Sequence, residues 1–174
     1  VEEINTQPYT IFDSIVKVDT SSFSIAEGPI VVDAGTFIQI FARTMEGNPD
    51  IFIMTEDQKN LYSNGGTAAS RIIEADMLLV SDERVLLWSV PESYEGLNLY
   101  VIVDNRAGPG GGGAGTTIAG TTITVTLNPI INPVISTLNL QESYDVGELI
   151  SFSALDTPNR SNQISESGYS WDVN

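Results

Sequence analysis

Apolar positions in this chain come in short runs separated by clusters of Gly, Pro, Asn and Asp, and the runs favour the two-residue period of a strand over the 3.6-residue period of a helix. The clearest case is near residue 120. Thr121, Ile123, Val125 and Leu127 alternate with Thr122, Thr124 and Thr126, which predicts a strand with one buried and one wet face. Residues 10–18 are β-rich with imperfect alternation. Residues 29–33 lead to a turn at Ala34 and Gly35 and then into 36–42, whose run from Ile38 to Ala42 predicts a central strand covered on both faces or carrying a bend. Gly47, Asn48, Pro49 and Asp50 break the chain before the strand 51–55. Arg84 to Val90 reads as a strand stopped by Pro91, and residues 98–105 as another.

The middle is less regular. Asn64-Gly65-Gly66 is a turn signal, and residues 68–76 suit either a short helix or a strand ahead of Met77, Leu78, Leu79 and Val80; the all-β neighbourhood favours strand. Trp88 and Trp171 fall inside strand patterns and are expected in cores. Pro129 and Pro133 make residues 128–133 a short, stiff linker, because proline cannot donate to a ladder. The expected organisation is therefore a unit over 1–127, the linker 128–133, and a second unit over 134–174.

Charge then narrows the function classes. The 23 acidic residues outnumber 7 basic ones, a net −16, which disfavours nucleic acid and anionic membrane surfaces as partners. The same balance favours solubility, divalent cations or a salty medium. With no Cys and no His, this chain cannot supply the usual zinc ligands, a thiol nucleophile or a Ser-His-Asp triad. It also lacks the disulfides common in animal secreted domains, which points to a prokaryotic surface protein, with an archaeal source preferred. No apolar run approaches the ~20 residues needed to span a bilayer, so membrane insertion by this chain is not expected. A first residue of Val suits a mature chain whose signal peptide has been removed.

Candidate chemistry is sparse. The neighbouring carboxylates Glu2 with Glu3, Glu56 with Asp57, and Asp82 with Glu83 fall in polar loops, where neither burial nor a cleft would tune them for acid–base work. Calcium is the better-suited ion, since it takes hard oxygen donors from loops. Asp33, Asp50, Asp104 and Asn105 fall at predicted strand ends and are the candidate ligands if those ends converge at one pole. The glycine-rich segment from Ala107 to Gly115 opens into a Thr-rich strand rather than a helix, so it reads as a surface connection and not a phosphate cradle. Tyr9, Tyr62, Tyr94 and Tyr144, if exposed, offer rings for stacking on sugars. Asn159-Arg160-Ser161 fits the N-glycosylation acceptor pattern.

Two stretches carry family resemblances. Val146-Gly147-Glu148-Leu149-Ile150-Ser151-Phe152-Ser153-Ala154, followed by Tyr169-Ser170-Trp171-Asp172-Val173-Asn174, resembles the opening of a PKD domain, an immunoglobulin-like module of cell-surface and secreted proteins. The resemblance covers roughly residues 133–174 and stops before that family's Gly-Asp-Gly, so the chain reads as a fragment of a longer extracellular protein. In the first unit, Val32-Asp33-Ala34-Gly35-Thr36, then Pro49 to Thr55, Trp88-Ser89-Val90-Pro91 and Leu99 to Asn105 are similar in order to jelly-roll sandwiches of the GOLD and pre-peptidase C-terminal type. The turn before Tyr100 is longer here than in their Gly-x-Tyr-x-Val-Val-Asp-Asn pattern. These resemblances imply an all-β chain: a jelly-roll-like β-sandwich followed by a partial Ig-like, PKD-like β-sandwich.

The implied role is that of a non-catalytic structural or adhesive module of an extracellular cell-surface or filament-forming protein, acting through assembly. An incomplete sandwich with an extended lead at residues 1–8 also suits strand donation between subunits. The expected partners are other copies of the chain or neighbouring surface proteins, with calcium bridging acidic faces. The alternative is a carbohydrate-binding or substrate-targeting accessory of a secreted hydrolase.

Overall fold

The computed structural model describes residues 8–67, 71–110, 117–129, 136–137 and 152–153. The chain divides into two compact units, Val1–Pro129 and Ile130–Asn174. In the first, strands β1 (Tyr9–Val18), β2 (Phe23–Ile30), β3 (Phe37–Glu46) and β4 (Asp50–Thr55) run to a helix, α1 (Glu56–Ser63). Strands β5 (Ile72–Met77), β6 (Glu83–Ser89), β7 (Leu99–Asp104) and β8 (Ala119–Leu127) follow, with a 3-10 turn at Glu92–Tyr94. In the second unit, β9 (Ser136–Thr137) and β10 (Phe152–Ser153) pair antiparallel. The rest of the PKD-like stretch, including Trp171, lies outside the described residues, as do Tyr144, the Asn159 acceptor pattern and most of the 1–8 lead.

The first unit is a rolled hairpin. β4 pairs with β5, β3 with β6, β2 with β7 and β1 with β8, all antiparallel. Additional pairings of β3 with β8 and β4 with β7 close two sheets of order β1-β8-β3-β6 and β2-β7-β4-β5. That is the eight-strand, double-sheet order of a jelly roll.

Alternation decides what each strand buries. In β3, Ile38, Ile40 and Ala42 point into the sandwich while Gln39 and Phe41 are half-exposed outside. In β8, Thr121, Ile123 and Val125 are buried and Thr122, Thr124 and Thr126 are not, as the threonine alternation predicts. They meet Ile51, Ile53, Leu99, Val101 and Val103 from the other sheet, with Trp88 in the same core.

Several local expectations need correction. The run 38–42 is covered on one face only. The strands covered on both faces are β4 and β7, whose outer residues Phe52, Met54, Tyr100 and Ile102 form a second cluster with Tyr62 of α1. The imperfect alternation of β1 is a register shift between Thr10 and Phe12. β2 begins at Phe23, well before the expected 29–33, and two register shifts break its period. Residues 72–77, by contrast, form the strand that the all-β neighbourhood favoured. At Gly28 (φ 143°) an added Cβ would come within 2.5 Å of the Tyr100 ring, so the close passage of β2 over β7 requires glycine.

The helix was not expected, although its start is encoded. Thr55 Oγ1 accepts from the Gln58 N–H at 3.4 Å and Gln58 Oε1 accepts from the Thr55 N–H at 2.8 Å, a capping box with Glu56 and Asp57 in the first turn. Thr55→Ala is expected to lower stability by about 1 kcal/mol in urea denaturation. An unchanged midpoint would show that packing of Tyr62 alone holds the helix.

Candidate functional site

The chemistry-bearing side chains of the first unit gather at one end of the β2-β7-β4-β5 sheet, where α1 ends and the chain leaves β7. Asp50 and Asp104 are direct cross-strand partners on β4 and β7. Both are essentially inaccessible, at 1% and 0% exposure. Asp104 follows Tyr100 and Ile102 on the outer face of β7, beneath the helix.

Each carboxylate is differently satisfied. Asp50 Oδ1 accepts the Leu79 N–H at 2.8 Å and Oδ2 accepts the Gly110 N–H at 2.6 Å. One side chain thus pins both the β5–β6 loop and the loop after β7. Leu79 sits at φ 54°, a left-handed conformation held in part by this bond. Asp104 Oδ1 accepts the Tyr62 hydroxyl at 2.6 Å, while its buried Oδ2 has no hydrogen-bond partner. Burial pushes the Asp104 carboxyl up to about 6; the neighbouring Asp50 adds to the rise, and the Tyr62 hydrogen bond, the Arg106 backbone and the Arg106 charge oppose it. Burial, followed by the bond to Asp104, also raises the Tyr62 phenol.

Asn105 faces the other way. Its Nδ2 donates to the carbonyls of Thr117 at 2.8 Å, Asp19 at 3.2 Å and Val18 at 3.4 Å, and its backbone exchanges bonds with Ser21 and Ser22. It ties the β1–β2 turn to the entry of β8. Asp33 is elsewhere. It is exposed in the β2–β3 loop, beyond Ile30, which pairs with Leu99 at the opposite end of β7 from Asp104. Three of the four candidate calcium ligands therefore reach one pole, Asp33 does not, and Asn105 directs its amide to loop carbonyls. Among the described residues, no group of three or more His, Cys, Asp or Glu is arranged to hold a metal ion. Glu56, Asp57, Asp82 and Glu83 are exposed, as expected, and Glu56 accepts from Asn98 Nδ2 at 2.8 Å; Glu2 and Glu3 lie outside the described residues.

Of the tyrosines proposed for stacking, Tyr9 is exposed, Tyr94 packs edge-on against Trp88, and Tyr62 is buried at 2%. Tyr62 instead forms part of the wall of a cleft of about 460 Å³. Gly66, Thr67, Arg71, Arg106 and Pro109 are among its other lining residues. The Arg106 guanidinium lies over the rings of Phe23 and Tyr62, 4.6 and 4.5 Å from their centroids, and its Nη1 donates to the Tyr62 carbonyl at 3.4 Å. Arg71 is fixed by Asp76, with Nε and Nη2 donating to the same Oδ2 at 2.8 and 2.7 Å.

Neither arginine was singled out in the sequence. The available signal was scarcity: only 7 basic residues occur in the chain, and two of them line one cleft. No protein-family model and no curated protein matches this chain. The PKD-like and GOLD-like readings therefore rest on the residues quoted for them.

Proposed function

We propose that this chain is a non-catalytic structural or adhesive module of an extracellular, cell-surface or filament-forming protein, and that it works by packing against copies of itself. The observation that carries this reading is the outer face of the β1-β8-β3-β6 sheet. Register places Asp13, Thr124, Phe41 and Val85 in one row across the four strands, and Ile15, Thr122, Arg43 and Glu83 in the next. Ile15 and Val85 are 55% and 50% exposed, and Phe41 and Leu87 are half-buried beside them.

Charge on this face favours a second copy as the occupant. Lys17 and Arg43 stand against Asp13, Glu46 and Glu83, so the face is nearly neutral on a chain of net charge −16. Two copies meeting here avoid most of the self-repulsion that acts elsewhere. Calcium enters the reading as a bridge between the more acidic surfaces. Electron microscopy of the purified chain, with calcium and again with chelator, is expected to show ordered filaments or sheets, and their loss in chelator would place calcium at the contacts. Dispersed monomers under both conditions would overturn the assembly reading.

The second reading, a carbohydrate-binding or substrate-targeting accessory, is favoured by the cleft beside Tyr62, where an aromatic ring and the Arg106 guanidinium lie together. Sugar-dependent protection of the chain in thermal unfolding would support it.

A further inference from the structure

We infer that the cleft between the end of α1 and the loop after β7 is a binding site for the carboxylate of a small organic anion, held by the guanidinium group of Arg106. The inference rests on the cleft alone, so it stands or falls independently of the assembly reading.

Three features support it. First, two guanidiniums line a concave site of about 460 Å³ on a chain with few basic residues. Planar guanidinium forks match carboxylate oxygens in geometry and charge. Second, the Arg106 fork is held before any ligand arrives. The Phe23 and Tyr62 rings with the Tyr62 carbonyl fix Arg106, while Asp76 takes the Nε–Nη2 edge of Arg71 and offsets its charge, so Arg71 shapes the wall beside it. Ordering that precedes binding lowers its entropic cost. Third, the remaining wall is small and largely apolar, with Gly66, Ala107, Gly108 and Pro109 leaving room for a ligand body behind its carboxylate.

The buried acid beneath the cleft gives the site a pH response. Asp104 is faced by Tyr62 from α1, by Asp50 from β4 and by Arg106 from its own loop, while β2 presents the uncharged Phe23. When Asp104 is ionised, its charge offsets Arg106 and opposes an incoming anion. When it carries a proton, Arg106 is uncompensated. Anion binding is therefore expected to tighten as pH falls through the Asp104 titration, near 6.

The test is a titration of the whole isotope-labelled chain with glucuronate, and separately with glucose, followed by backbone amide shifts at pH 5 and pH 8. Glucuronate is expected to move the Gly66, Thr67, Ala107 and Gly108 amides saturably, more tightly at pH 5, while glucose leaves them unmoved. Arg106→Gln should weaken binding by about tenfold or more, and Arg106→Lys by less, because the charge remains but the fork is lost. Unchanged amide spectra elsewhere would show that both variants fold. Equal shifts with glucose, no saturable shift with glucuronate, or an unaltered affinity in Arg106→Gln would each overturn the inference.

Discussion

Replacing Asp104 by Asn is expected to stabilise the sandwich at pH 8 by about 3 kcal/mol while changing little at pH 4. Asp104 is wholly buried, with one oxygen on the Tyr62 hydroxyl and the other without a partner. Its carboxyl is raised from 3.8 to about 6, chiefly by burial. Between those values the folded chain holds a proton that the unfolded chain has released. Stability therefore falls as pH rises through that window, the reverse of the usual salt-bridged carboxylate. The interval from 3.8 to about 6, at about 1.36 kcal/mol for each pH unit, gives the ~3 kcal/mol. Asn keeps the Oδ1 acceptor for Tyr62 and carries no charge, so it removes this penalty. The check is the difference in unfolding free energy between variant and parent from pH 4 to pH 8, which cancels the titration of the other acids. A flat difference across that range would show that Asp104 ionises normally in the fold.

The second large effect is expected at its partner. Asp50→Ala should cost about 3 kcal/mol or more, because two backbone N–H groups, of Leu79 and Gly110, lose a carboxylate acceptor at once. Relief of repulsion with Asp104 offsets part of that loss, and the Asp104 pKa should fall once the neighbouring charge is gone. Both loops should loosen together, seen as faster hydrogen exchange at the Leu79 and Gly110 amides. A variant within about 1 kcal/mol of the parent would mean that the loops hold themselves and that the buried acid is not their clamp.

These paired acids mark where sequence reading succeeded and where it stopped. Strand ends were legible in the breaks at Gly47 to Asp50 and at Asp104-Asn105, and the alternation of Thr121 to Leu127 gave the inner and outer faces of β8. β2 was obscured because two register shifts destroy its period of two. The helix was hidden because it is mostly polar and only Tyr62 is buried, with Leu61 exposed; its local signals were the Thr55 and Gln58 box and the acids of its first turn.

The site was only partly legible for a different reason. Asp50 and Asp104 stood out as acids at strand ends, but the meeting of β4 with β7 is a long-range pairing that no local pattern specifies. The same holds for Asp33, whose place at the other end follows from chain direction in the rolled hairpin. Arg106 lies in the loop that Asp50 pins through Gly110, whereas Arg71 precedes β5 and is held by Asp76, and neither lies in a motif.

Sedimentation velocity of the parent chain beside Val85→Glu, over a range of concentrations with calcium present, tests the proposed function most directly. Val85 is half-exposed on the edge strand of the nearly neutral sheet face, beside Phe41, so a charge there should leave the fold intact and block contact between copies. The parent is expected to associate as its concentration rises, and the variant to stay monomeric. A parent that remains monomeric throughout, or a variant that associates equally well, would contradict the proposed function.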